Sequence, residues 1–243
     1  MHNISPKNIP INERLIHALD VPDIETAKAQ VERLGDAITF YKLGLELFMS
    51  GNYFELIDWL FEHDKKVFAD LKFFDVPETV GRAVSRLKES GVSFATVHGN
   101  DAMLKAAVKA KGDLKILAVT VLTSLDQGDI SDLGFKTDIP SLVLSRARRA
   151  LQIGCDGVIS SGLEAQALRA DLSDQFLIIS PGIRPVENRS EDDQKRIVTV
   201  EQAFQNGADY IVVGRPIKNA ADPYKAAMDI QANIHKVFAS DHS

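Results

Sequence analysis

The sequence predicts a single-domain α/β chain folded as a (β/α)₈ TIM barrel over residues 13–243, with residues 1–12 as a loosely held lead-in. Three observations carry this prediction. Short apolar runs alternate with amphipathic stretches from end to end, eight times over, the order that builds a parallel sheet with helices outside it. No linker, low-complexity segment or shift of composition divides the 243 residues, of which 45% are hydrophobic, enough for one sizeable core. The rival, a doubly wound open sheet, usually carries a Gly-x-Gly-x-x-Gly turn after its first strand; this chain has Asp20-Val21-Pro22-Asp23 there.

Each element has a local reason. Residues 14–20 read as the first strand, followed by a helix over 24–34 that Asp23 caps. The second strand is 38–44, with an amphipathic helix at 53–63 behind it. The third is 66–72; its helix, 77–90, opens on Pro77 with Glu78 in the first turn and closes at Gly91. The fourth strand, 94–99, precedes an Ala/Lys-rich helix at 102–111, and the most apolar strand is the fifth, 114–122. A polar loop with short helical turns fills 124–136. Asp138 then caps a helix over 139–153. Strand six at 157–161 leads to a helix at 163–172. Strand seven at 176–182 leads to an irregular polar loop and a short helix near 200–206. Strand eight is 210–215, and 222–238 is the closing helix.

Net charge −6 and a pI near 5.5 argue against a general binder of nucleic acid or acidic membranes. No apolar run approaches a membrane span, and the opening residues lack the apolar core of a signal peptide. Cys155 is the only cysteine, so no internal disulfide forms. A cytoplasmic protein is expected.

The most informative stretch ends the third strand. Val67, Ala69 and Leu71 form one row, while Phe68, Asp70 and Lys72 form the other, because side chains two apart share a face. Asp75 follows in the loop, giving Asp-x-Lys-x-x-Asp at a strand-to-loop exit. Charges there are costly unless the strand end opens into a polar pocket. If Asp20, Lys42, Asp70, Lys72, His98 and Arg215 all face the barrel interior, alternation also sends Ile16, Ala18, Ile38, Phe40, Phe68, Ile211 and Val213 inward. Those are apolar, so the polar exceptions collect at the C-terminal ends of strands, where barrel enzymes build their sites. Lys42, Asp70, Lys72 and Asp75 would make a cluster of alternating sign, with an ammonium placed as a proton donor.

Two turns look suited to phosphate. Pro181-Gly182-Ile183-Arg184 ends strand seven and Val213-Gly214-Arg215-Pro216 ends strand eight. Glycine lets backbone N–H groups approach a ligand and arginine offers bidentate contacts. Between them the polar stretch 184–196, with Gln194 near its end, reads as a lid or a loop tip. His98 reads as a ligand contact or a scaffold histidine, His17 as packed beneath helices, Cys155 as a small buried hydrophobe and Trp59 as core. No His/Cys/carboxylate set has metal-ligand spacing, and no nucleophile–base pair is evident.

Asp70-Leu71-Lys72-Phe73-Phe74-Asp75-Val76-Pro77-Glu78-Thr79 closely resembles the signature of the orotidine 5′-phosphate decarboxylase family, which makes UMP in pyrimidine synthesis. The resemblance extends through Ala18-Leu19-Asp20, Lys42-Leu43-Gly44, Val119-Thr120-Val121-Leu122-Thr123-Ser124, Pro181 to Arg184, Asp193-Gln194 and Val213 to Pro216, in the family's order. It implies that Lys72 protonates C6 of the pyrimidine as carbon dioxide leaves, with Asp70 beside the departing carboxylate. It implies that Lys42 and Asp20 hold the ribose hydroxyls and the charge network, and that Thr123 contacts the base. Arg184, Gln194, Gly214 and Arg215 would grip the phosphate. Asp75 and Thr79 would reach into the partner's site across a homodimer interface. No metal and no organic cofactor is implied. Phe74 stands where the family commonly has His or Tyr, Glu78 where it has Asn, Gln or Thr, and the turn after His98 looks shorter.

Two rivals share features of this pattern. Sugar-phosphate decarboxylases and hexulose-phosphate synthases carry Asp-x-Lys-x-x-Asp on the same barrel, but use magnesium held by a strand-two glutamate where this chain has Lys42. A non-catalytic nucleotide-binding barrel is the other, and the intact Lys72 argues against it.

Overall fold

The computed structural model describes residues 4–98, 100–172, 174, 176–184 and 198–239. Strands β1 (Leu15–Ala18), β2 (Phe40–Leu43), β3 (Lys66–Phe73), β4 (Phe94–His98), β5 (Lys115–Val119), β6 (Gly157–Ile159), β7 (Leu177–Pro181) and β8 (Tyr210–Val213) pair in parallel in chain order. The pairing of β8 with β1 closes the barrel. Every strand therefore delivers its C-terminal end to the same rim.

The helices are α1 (Ile24–Leu34), α2 (Leu45–Met49), α3 (Tyr53–Glu62), α4 (Pro77–Lys88), α5 (Asp101–Ala110), α6 (Gln127–Asp132), α7 (Ile139–Ile153), α8 (Ala165–Leu172), α9 (Val200–Gln205), α10 (Arg215–Lys218) and α11 (Pro223–Ala239). Asp23 and Asp138 cap α1 and α7 as expected, accepting from the Thr26 and Ser141 backbone N–H groups at 2.7 Å each. The short α2 lies between β2 and α3, where the sequence predicts no helix.

Strand alternation sorts the apolar residues into two layers. Ile16, Ala18, Phe40, Phe68, Phe94, Leu117, Leu177, Ile179, Tyr210 and Val212 fill the barrel. Leu15, Tyr41, Val67, Ala69, Ile116, Val158, Ile178, Ile211 and Val213 face the helices. Inside, the rings of Phe40 and Phe94 lie 5.1 Å apart and those of Phe94 and Tyr210 5.2 Å apart, edge to face, making an aromatic floor. The packing is tight at Gly157, where an added methyl carbon would stand 2.4 Å from the Leu177 carbonyl oxygen.

The expected interior set holds for Ile16, Ala18, Phe40 and Phe68 and fails for three residues. Ile211 and Val213 belong to the outer layer, and Tyr210 and Val212 point inward in their place. Parity counted back from Arg215 selects the wrong row, because β8 ends at Val213 and Gly214 (φ −112°, ψ −95°) turns the chain into α10. Alternation cannot be carried across that turn. Ile38 also lies in the outer layer, because it precedes β2 and follows the short 3₁₀ turn Gly35–Ala37.

Residues 4–12 are held more firmly than the sequence suggests. Ser5 is buried and hydrogen-bonds Asp209, the Lys7 ammonium sits 3.0 Å from Asp209 Oδ1, and Ile9 packs against the barrel interior. Asp209 is fully buried and also binds Arg169 Nη2 and the Ile178 N–H, each at 2.8 Å. A buried carboxylate satisfied by this many donors closes the N-terminal end of the barrel.

Candidate active site

The site grows from an irregularity in β3. Ala69 pairs with Ala95, but the next pairing is Phe73 with Val97, so two extra residues are accommodated on the β3 side. Within that stretch Lys72 adopts φ +46°, a left-handed conformation that side-chain-bearing residues rarely take. Its backbone N–H donates to Thr96 Oγ1 at 2.9 Å, and the Thr96 hydroxyl donates to Asp70 Oδ1 at 2.9 Å. The irregularity turns both Asp70 and Lys72 toward the barrel mouth.

Asp70 is the hub of the charges gathered there. The Lys72 ammonium stands 2.9 Å from its Oδ1 and the Lys42 ammonium 3.4 Å from its Oδ2. Lys42 also contacts Asp20 Oδ1 at 3.1 Å. The sequence Asp20–Lys42–Asp70–Lys72 thus alternates in sign. Burial alone would raise the Asp70 carboxyl; Lys42 and Lys72, with hydrogen bonds from Lys72 and Thr96, outweigh it and hold the carboxyl below its ordinary value. A methyl carbon added at Gly44 would lie 3.3 Å from Asp20 Oδ1 and 3.4 Å from the Lys42 ammonium, so the glycine makes room for this pair.

Above the charges is a cavity of about 140 Å³ lined by Lys42, Phe68, Asp70, Lys72, Val119, Val121, Leu122, Thr123, Ile159, Pro181 and Val212. One wall is therefore ionic, from β2 and β3, and the other is mainly apolar, from β5 to β8. Such a cavity sets charged groups that can meet polar or ionised parts of a small ligand against an apolar side that excludes water.

The remaining expected site residues take several positions. Gly214 sits at the end of β8, where an added methyl carbon would be 3.3 Å from Ala18 Cβ and 4.0 Å from Asp20 Oδ2. Arg215 opens α10, exposed and without an ion-pair partner among the described residues. Gly182 after β7 has φ +77°, and Arg184 is buried, its N–H donating to the Val198 carbonyl at 3.2 Å. Gln194 lies outside the described residues.

Asp75 does not join the charges of its own chain. It is exposed, and its Oδ1 accepts from the Val76 N–H at 2.6 Å. Asp20 is the second carboxylate of the cluster instead, because the chain turns outward after Phe73. Thr79, in the first turn of α4, accepts from Arg82 Nη2 at 3.3 Å.

His98 ends β4 half-buried, with its ring 5.5 Å from that of Phe74. Burial, with Arg146 and Lys72 nearby, lowers its basicity. His17 faces the helices as expected: Nδ1 donates to the Val213 carbonyl and Nε2 accepts from Gln30 Nε2, both at 2.9 Å. Burial pushes its pKa down to about 4 and pushes the Cys155 thiol up to about 12. Thr96, fully buried, is the participant that sequence reasoning passed over. The signal was its place in the same row as His98, a polar side chain two residues earlier on an apolar strand. Among the described residues no group of three or more His, Cys, Asp and Glu is disposed to hold a metal ion.

Comparison with known proteins gives concordant results. The sequence model of the "Orotidine 5'-phosphate decarboxylase / HUMPS family" matches residues 13–230. A protein of Methylococcus capsulatus named orotidine 5'-phosphate decarboxylase is 68% identical over 237 residues, covering 98% of each chain. Its namesake from Xanthomonas oryzae pv. oryzae is 50% identical over 241 residues, covering 98% of this chain and 99% of the other. Among solved structures, the orotidine 5'-phosphate decarboxylase of Lactobacillus acidophilus superimposes with a TM-score of 0.81 at 34% identity, over 91% of this chain and 99% of that one.

Proposed function

Because this chain belongs to the orotidine 5'-phosphate decarboxylase / HUMPS family, we propose that it decarboxylates orotidine 5′-phosphate to UMP and carbon dioxide in pyrimidine synthesis. The observation that carries this reading is the alternating line Asp20–Lys42–Asp70–Lys72 beside a largely apolar cavity.

In this mechanism the bond from C6 to the carboxylate breaks and its electron pair stays on C6. The Lys72 ammonium gives that carbon a proton and recovers one from solvent. A vinyl carbanion is a poor intermediate in water, so the barrier must fall through charges fixed in advance and through exclusion of solvent. Asp70, held ionised by two lysines, stands beside the departing carboxylate and favours its loss as a neutral gas. Lys42 and Asp20 take the ribose hydroxyls, and Thr123 the base. Arg184, Gln194, Gly214 and Arg215 grip the phosphate. Binding energy from that remote group contributes to the transition state when it drives closure of the site.

The active form in this reading is a homodimer in which Asp75 and Thr79 complete the partner's site. The exposure of Phe74 and Val76 on either side of Asp75 favours a second copy there. The barrel acts as one domain over residues 13–243 and works in the cytoplasm, a setting that fits a single buried cysteine. Among the described residues no helix is long and apolar enough to cross a membrane.

The test is loss of orotidine 5′-phosphate absorbance with and without a chelator. Turnover that chelation leaves unchanged supports this reading. Turnover only of a sugar phosphate with magnesium would assign the chain to the other branch of its family, and tight UMP binding without turnover would make it a non-catalytic binder.

A further inference from the structure

We propose that Thr96 is a positioning residue for the proton donor: its hydroxyl, bridging the Lys72 N–H and Asp70 Oδ1, holds Lys72 in its left-handed backbone conformation and so sets where the ammonium stands. The role attributed to Lys72 rests on the decarboxylase reading; the bridge itself does not.

Three observations lead here. The β3–β4 ladder skips from Ala69 to Phe73, so the regular strand pairing supplies no carbonyl for the Lys72 N–H. That N–H reaches Thr96 Oγ1 instead, at 2.9 Å. A residue with a side chain at φ +46° persists only where its surroundings over-determine it, and this side-chain contact is made at the strained residue itself.

The chemistry of the bridging atom is also restrictive. A carboxylate oxygen requires a donor and an amide N–H requires an acceptor; a hydroxyl is both at one atom. Because its single hydrogen is directed to Asp70, at 2.9 Å, the lone pairs face Lys72. Thr96 has no exposed surface, so water cannot take over either bond without opening the barrel wall. Asp70 and the Lys72 backbone are tied to one point, and the Lys72 ammonium returns to the same carboxylate at 2.9 Å. The loop from Asp70 through Thr96 to Lys72 and back closes on itself.

The test uses Thr96→Val, which keeps the branched shape and removes the hydroxyl, and Thr96→Ser, which keeps the hydroxyl. Thr96→Ala carries the same comparison if the valine variant does not fold. Thr96→Val should speed hydrogen exchange at the Lys72 amide by about tenfold or more, and Thr96→Ser should leave it within about threefold of wild type. For orotidine 5′-phosphate, kcat should fall about 10- to 100-fold in Thr96→Val with KM within about twofold, and Thr96→Ser should restore most of it. Wild-type exchange and kcat in Thr96→Val, or equal losses in both variants, would overturn the proposal. If the wild type does not turn over orotidine 5′-phosphate, the decarboxylase reading fails, and Thr96 is judged on amide exchange and on a crystal structure of Thr96→Val. A Lys72 that keeps its positive φ and its contact with Asp70 in that structure would contradict the assignment.

Discussion

The Lys72 ammonium and the Asp70 carboxylate stand 2.9 Å apart at the mouth of the barrel, two residues apart in sequence yet joined across a break in the regular β3–β4 pairing. In an unbroken strand both side chains would share a row but project in parallel. The left-handed turn at Lys72 bends one back onto the other, while Lys42 takes the second carboxylate oxygen. The pair sits over an aromatic floor and beside apolar walls, where charge interactions are stronger than in water.

Arg215 is exposed at the start of α10 with no ion-pair partner among the described residues, a guanidinium available to an anion. Arg215→Ala should weaken UMP binding about 10- to 100-fold, the size of one or two charge-assisted hydrogen bonds. It should change uridine binding less than about twofold. Calorimetry with both ligands decides it; equal losses would remove Arg215 from the phosphate site.

His17 makes the folded protein sensitive to acid. Burial lowers its folded pKa to about 4 from an ordinary value near 6.5. Between those values the unfolded chain takes up a proton that the folded chain refuses, so stability rises with pH across this window and is lost as pH falls through it. About 2 kcal/mol should disappear between pH 7.5 and pH 5 on this account. Urea unfolding of the wild type and of His17→Asn over that range measures it. The variant should show a shallower dependence, and identical slopes would contradict the assignment.

At the opposite end of the barrel, Asp209 is fully buried among Lys7, Arg169, Ser5 and the Ile178 N–H. Asp209→Asn should cost about 3–5 kcal/mol of stability, since it removes the buried carboxylate that the Arg169 guanidinium and the half-buried Lys7 ammonium meet. The folded fraction should keep its kcat, and residues 4–12 should become open to proteolysis. A loss below about 1 kcal/mol would mean that the lead-in is held by its apolar contacts alone.

The order of elements was legible because it is written locally. Asp23 and Asp138 mark where α1 and α7 begin, and the apolar runs mark the strands. The row holding Asp70 and Lys72 was legible for the same reason, as period-two alternation needs no knowledge of the rest of the chain. What could not be read depends on contacts between distant segments or on backbone detail. The inward row of β8 was misplaced because Arg215 lies past the turn at Gly214. Asp20 rather than Asp75 completes the charges within one chain, which only the closed barrel reveals. The tie from Ser5 and Lys7 to Asp209 spans some 200 residues. The row of Thr96 is legible in β4, but its bond to the Lys72 N–H depends on the break in the β3–β4 pairing, which one strand alone does not encode.

Whether the Lys72 ammonium delivers the proton at C6 is decided by single-turnover decarboxylation of orotidine 5′-phosphate by Lys72→Ala beside the wild type, both in chelator. With Lys72 as donor, the wild type turns over fully, the variant is slower by at least about 100-fold, and the variant keeps its unfolding temperature and its UMP binding. A Lys72→Ala protein that decarboxylates within tenfold of wild type, or a wild type that stops when metal is removed, would contradict it.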